Sequence, residues 1–156
     1  MTQTTSSSKS KSFGSPALDK MVGRLKTTSQ PKRRYEYILW LAKKLPILPE
    51  EFRSDSFKVK GCVSQVYVIG KLSNGKISWQ GFSDALITKG LLSLLIEGLN
   101  DLCPEDVLKI DENFIKETGL NASLTPSRAN GFLNILLNMK SQAKMLSKGT
   151  SSNLII

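Results

Sequence analysis

One run of this chain has a hydrophobic period of two, and helical periodicity stands on both sides of it. Val66 and Val68 alternate with Gln65, Tyr67 and Ile69, and residues 77–82 read as a return strand. Between them, Ser73-Asn74-Gly75-Lys76 carries the Asn-Gly dipeptide of a tight hairpin, because both residues tolerate positive φ. Residues 58–60 read as a short third strand. The strands therefore cluster in the middle of the chain and do not alternate with helices. That order predicts an α+β fold: a small antiparallel sheet of about three strands packed against several helices.

The flanking helices announce their ends. Ser15-Pro16 is an N-cap followed by proline at the first helical position, and Leu18, Met21, Val22 and Leu25 recur at helical spacing behind it. A second helix starts near Pro31 with the stripe Tyr35, Ile38, Leu39, Ala42 and Leu45, and Pro46 and Pro49 stop it. Ser83 is placed to cap a helix over 84–99 that is apolar on most sides, hence central. Pro104 opens a short helix through Leu108, and 111–118 reads as another, with Gly119 following as the C′ residue. Thr125-Pro126 repeats the cap-plus-proline start of a last helix reaching about Leu146. Ala129, Phe132, Leu133, Leu136 and Ala143 read as its buried face, and Asn130, Asn134, Asn138 and Gln142 as its wet face.

A length of 156 residues suits one compact domain. The expected division is a Ser/Thr/Lys-rich disordered tail over 1–15, a single domain over 16–148 and a frayed end over 149–156. No apolar run approaches the roughly 18 residues of a membrane span. The net charge is +9, of which +4 falls within residues 1–30, so the remainder is only mildly basic. No nucleic-acid motif accompanies that charge, so neither nucleic acid nor membrane is expected as the main partner.

The chain has two cysteines and no histidine. Ser-His-Asp and Cys-His catalysis are thereby excluded, since the imidazole base is missing. An ordinary zinc site is disfavoured for want of soft ligands. Two cysteines make no disulfide framework and suit a reducing compartment. Cys62 is the leading candidate nucleophile. A lone thiol commonly packs as a small hydrophobe. Here, however, Gly61 permits a sharp bend, Lys58 and Lys60 favour the thiolate, and the position is a loop at the mouth of a strand. Cys103, before Pro104, reads as a cap-region residue. Asp84 reads as a helix-capping residue that also lies near Cys62. Arg128 sits on the first turn of a helix, where a cation is unfavourable, which implies an anionic partner with Asp84 the candidate.

Taken together, Gly61-Cys62-Val63-Ser64-Gln65-Val66-Tyr67, Ser83-Asp84-Ala85, Lys89-Gly90-Leu91 and Leu124-Thr125-Pro126-Ser127-Arg128 with Asn130-Gly131 resemble the SufE family of sulfur acceptors, in family order, within about residues 17–146. Two positions depart from the family pattern. Phe82 stands where an acidic residue is frequent, and Tyr67 where tryptophan is frequent. Cys103 matches no motif of the family.

The resemblance implies an α+β fold similar to IscU-type scaffolds. It implies that Cys62 accepts persulfide sulfur from a PLP-dependent cysteine desulfurase, stimulates that enzyme, and passes sulfur to an iron–sulfur cluster scaffold. Gly61, Gln65, Asp84 and Arg128 then shape the surroundings of Cys62. No cofactor and no metal are implied on this chain, and the expected compartment is the cytoplasm, or the plastid stroma if the N-terminal tail is a transit remnant. The alternative is a non-catalytic adaptor or scaffold in cluster assembly. A scaffold that holds a cluster calls for about three or four thiolate, imidazole or carboxylate ligands, which one motif cysteine does not supply.

Overall fold

The computed structural model describes residues 12–148. Residues 1–11 and 149–156, which hold most of the two expected tails, lie outside the described residues. The elements run α1 (Pro16–Thr27), α2 (Pro31–Lys44), β1 (Val66–Ser73), β2 (Lys76–Ser83), α3 (Leu86–Leu99), α4 (Pro104–Leu108), α5 (Phe114–Glu117) and α6 (Pro126–Ser147). Among the described residues no helix is long and apolar enough to cross a membrane.

The α+β reading holds, with one correction. The sheet has two strands, paired antiparallel from Val66↔Ser83 to Ser73↔Lys76. The expected third strand at 58–60 contracts to one bridge, Lys58↔Tyr67, with Val59 N–H donating to Val66 O at 2.8 Å. The reason is Gly61, whose φ of +82° turns the chain out of the extended path. Asn74 and Gly75 take φ of 54° and 79°, as the hairpin requires.

α3 lies at the centre. Leu91, Leu92, Leu94 and Leu95 are fully buried, and the helix packs against α1, α2, α6 and β2. The core face of α2 is Ile38, Leu41 and Ala42, while Tyr35 is exposed, contrary to the expected stripe. The first described residues join the core: Phe13 packs edge-on against Phe114, which in turn meets Phe132. On the far side of the hairpin, Tyr67 and Ile69 are buried against Leu48 from the segment before β1. β1 is therefore covered on both faces.

The polar stripe of α6 is a wet face only in part: Asn130 is exposed, while Asn134, Asn138 and Gln142 are half-buried. Gln142 accepts the Gly70 N–H at 3.0 Å and donates to Val68 O at 2.8 Å and to Asn138 Oδ1 at 2.8 Å. Its amide stands in for a neighbouring strand at the open edge of β1. Asn134 does the same for the loop before β1, donating to Gly61 O at 2.9 Å. Gln142→Leu strips two backbone groups of their partner and is expected to cost about 2 kcal/mol. Urea unfolding checks this, and an unchanged midpoint would show that water replaces the amide.

Candidate functional site

Cys62 sits at the turn between the Lys58 bridge and β1, half-buried at the margin of the main core. Its Sγ–H points at Gly131 O, 3.8 Å away on α6. A Cβ on Gly131 would meet that sulfur at 3.6 Å, an ordinary van der Waals contact, so the thiol lies directly against this turn of the helix. Burial pushes the Cys62 thiol up from its ordinary value, and no charged group offsets this. This corrects the expectation that Lys58 and Lys60 favour the thiolate. Both lysines are exposed, and their charge is spent on water.

The loop is tied down at each of its ends. Asn134 holds Gly61, where an added Cβ would lie 2.6 Å from the Asn134 amide nitrogen. Arg128 Nη1 donates to Thr88 Oγ1 at 2.7 Å and to Ser64 Oγ at 3.3 Å, joining the first turn of α6 to α3 and to the loop. Asp84 Oδ1 accepts the Gln65 N–H at 3.0 Å, and Gln65 O accepts the Asp84 N–H at 3.2 Å. The Gln65 side chain is exposed. Between these ties Val63 is 82% exposed, an apolar tip beside the sulfur.

Two pairings expected from the sequence are replaced. Asp84 does not cap a helix: α3 begins at Leu86 with Ala85 as its N-cap, and the Ser83 hydroxyl accepts the Ala85 N–H at 3.2 Å instead. Nor does Asp84 pair with Arg128, for no ion pair joins them among the described residues. The guanidinium instead takes the Thr88 and Ser64 hydroxyl oxygens as acceptors. Gly61, Gln65, Asp84 and Arg128 are all brought to the Cys62 loop. Thr88, Ser64 and Asn134 join them without having been singled out. For Asn134 a signal existed: amides recurring every fourth residue at 130, 134, 138 and 142 are poor solvent-facing choices beside Lys or Glu, and good ones for pairing exposed backbone. Cys103 is a separate free thiol at the start of α4.

A family model described as SufE, the Fe-S metabolism associated domain, matches residues 19–143. The chain belongs to the SufE family. An uncharacterized SufE-like protein of Synechocystis is 48% identical over 136 residues, 87% of this chain and 86% of that protein. The cysteine desulfuration protein SufE of Plasmodium vivax is 40% identical over 116 residues, 72% of this chain and 46% of its own length. SufE-like protein 1 of Arabidopsis thaliana, chloroplastic/mitochondrial, is 36% identical over 129 residues, 82% of this chain and 35% of its own length. This chain thus spans most of the Synechocystis protein but less than half of the other two. The solution structure of a hypothetical protein from Thermus thermophilus superposes with a TM-score of 0.74 at 26% identity, over 86% of this chain and 98% of that one. In this SufE-family chain Phe82, the position that departs toward an aromatic, packs beside Tyr67 and under the Arg53 guanidinium, 3.8 Å from the ring centre.

The raised thiol makes a direct prediction. Alkylation of Cys62 by iodoacetamide needs the thiolate, so its pH midpoint should lie above the ordinary cysteine value of about 8.5. In urea the midpoint should fall back. Because the folded thiol keeps its proton to higher pH than the unfolded one, its share of stability is full below the unfolded value and declines as pH rises through the folded one. A midpoint below about 8 in the native protein would contradict a desolvated thiol.

Proposed function

We propose that this chain is a sulfur acceptor and carrier: Cys62 takes persulfide sulfur from a PLP-dependent cysteine desulfurase, speeds that enzyme by clearing its product, and hands the sulfur to an iron–sulfur cluster scaffold. The observation that carries the reading is the setting of Cys62, a free thiol beside an exposed apolar tip, half-buried at the core margin against the Gly131 carbonyl, in a loop whose two ends are tied by polar contacts. Family membership and the relatives named for cysteine desulfuration support the same reading.

In the transfer step, the Cys62 thiol first gives up its proton. The thiolate attacks the outer sulfur of the donor persulfide. A new S–S bond forms at Cys62, the donor S–S bond breaks, and the donor cysteine leaves as a thiolate that takes up a proton. No net oxidation occurs. Hand-over to the scaffold repeats the exchange with Cys62 as the leaving thiolate. The half-buried, protonated resting state guards the thiol until a partner displaces the loop. Gly61, Gln65, Asp84 and Arg128 are assigned the holding of that loop, and residues 16–148 the single domain that carries it. The compartment assigned is the cytoplasm, with the plastid stroma as alternative, which the chloroplastic/mitochondrial name of the Arabidopsis relative supports.

Mass spectrometry after incubation with a SufS-like desulfurase and cysteine tests the reading. The protein should gain one sulfur atom on the peptide that contains Cys62, and Cys62→Ser should gain none while Cys103→Ser gains as much as the parent. An unmodified Cys62 beside an active desulfurase would sink the proposal.

A further inference from the structure

A second surface feature lies away from Cys62, on the outer side of α1 and α2. Arg24 sits over the Tyr37 ring at 5.0 Å, Tyr37 stacks on Trp40 with ring centres 5.7 Å apart, and Lys44 Nζ sits over Trp40 at 4.8 Å. Lys44 is fixed in turn by Glu97 on α3, 3.3 Å away. The four side chains form one ladder of cation, ring, ring and cation. It borders a groove of about 700 Å³ that Ala17, Lys20, Met21 and Gly23 also line. A smaller groove at Arg33 and Glu36 continues from the same rings. Trp40 is 49% exposed.

Trp40 itself is not needed to pack the core. α2 is anchored through Ile38, Leu41 and Ala42 on its other side. A half-exposed tryptophan is costly to leave in water, and Trp, Tyr and Arg are the residue types that dominate binding hot spots. The ladder also orders these long side chains in advance, which removes much of the entropy loss that binding imposes. The charge selects the partner. Lys20, Arg24, Arg33 and Lys44 outnumber Glu36 and Glu97 around the two grooves. The ladder selects further: Tyr37 and Lys44 already occupy positions over Trp40, so the rings offer their edges to a visitor rather than a free platform for stacked nucleobases.

We propose that this groove docks an acidic segment of a protein partner, with an apolar side chain seated between Ala17 and Trp40 and its carboxylates on Lys20 and Arg24. The site is independent of the sulfur chemistry. Glu97 lies nine residues beyond Thr88 on α3, about 13 Å along the axis at helical rise, and neither Cys62 nor its loop lines the groove.

The probe is a short synthetic peptide of glutamates around one leucine, titrated into the full chain at low salt and followed by ¹H–¹⁵N NMR. The Trp40 indole N–H and the amides of Lys20 and Arg24 should shift together, and the Trp79 indole, buried in the core, should not. Lys20→Glu with Arg24→Glu, both on the exposed face, should weaken binding by about tenfold or more, and Trp40→Ala should weaken it with the charges intact. Equal shifts at Lys58 and Lys60 would mean diffuse attraction to positive charge and would overturn the proposal. So would tighter binding of a single-stranded oligonucleotide than of the peptide at the same groove, or a Trp40 indole that does not move.

Discussion

Gly90→Ala is expected to be the most destabilising single-methyl change in this protein, costing about 3 kcal/mol or more, the upper end for overpacking. A Cβ on Gly90 would fall deep inside contact distance of the Ile38 carbonyl oxygen, 2.5 Å from Ile38 Cγ2 and 2.8 Å from the carbonyl carbon. Most of the obstacle is helix backbone, which no rotamer change can move aside. α2 and α3 make the largest helix–helix contact of the fold here, and Ile38 is itself fully buried. The helices would have to separate, and the leucines of α3 would lose contact on that side. Gly23→Ala on α1 is the internal control. A Cβ there meets nothing within 4 Å among the described residues, so it should be neutral or stabilising by up to about 1 kcal/mol through helix propensity. Denaturant unfolding of both variants gives the comparison. Equal midpoints would mean that the close approach of α2 and α3 is not what Gly90 is for.

That contrast bears on what the amino-acid pattern makes legible. Local signals translate well. The Ser15 and Thr125 caps accept from the N–H groups of Leu18 and Arg128, and Asn74-Gly75 turns the hairpin. These depend on neighbours within a few residues, so spacing alone carries them. Long-range partners are less readable. Asp84 beside Ser83 has the composition of a helix cap, yet its carboxylate serves the Gln65 N–H across the hairpin end. The amide stripe of α6 looks solvated until β1 is seen to lie alongside with an unpaired edge. Gly90 is an ordinary glycine in an apolar helix until the path of α2 is known. Cys62 stands out in the sequence because motif and chemistry coincide there. Its resting state does not, because neighbouring lysines in sequence are not neighbouring charges in space.

The ties that do reach the Cys62 loop in space identify the most informative perturbation of the site. Arg128→Ala combined with Asn134→Ala is expected to speed alkylation of Cys62 at neutral pH by about tenfold or more. Asn134 contributes a neutral hydrogen bond to Gly61 O, and Arg128 contributes charged ones to Ser64 and Thr88. Such bonds are worth about 0.5–1.5 and 1.5–3 kcal/mol respectively. Loss of about 1.4 kcal/mol from the closed loop raises the open population tenfold. In the open loop the sulfur is hydrated, so its thiolate fraction rises as well, and both effects push the rate the same way. Cys103 supplies the control within one molecule, since its alkylation should not change. Arg128→Lys should recover only part of the protection: both bonds leave the single nitrogen Nη1, and the ammonium has donors enough for two hydroxyls, but its stem is shorter than the one that carries Nη1 to Thr88 and Ser64. If the sulfur-carrier reading holds, the doubly substituted chain should also lose sulfur more readily to small thiols once loaded. An alkylation rate equal to the parent's would show that core packing around Cys62, and not the polar ties at the ends of its loop, keeps the thiol in place.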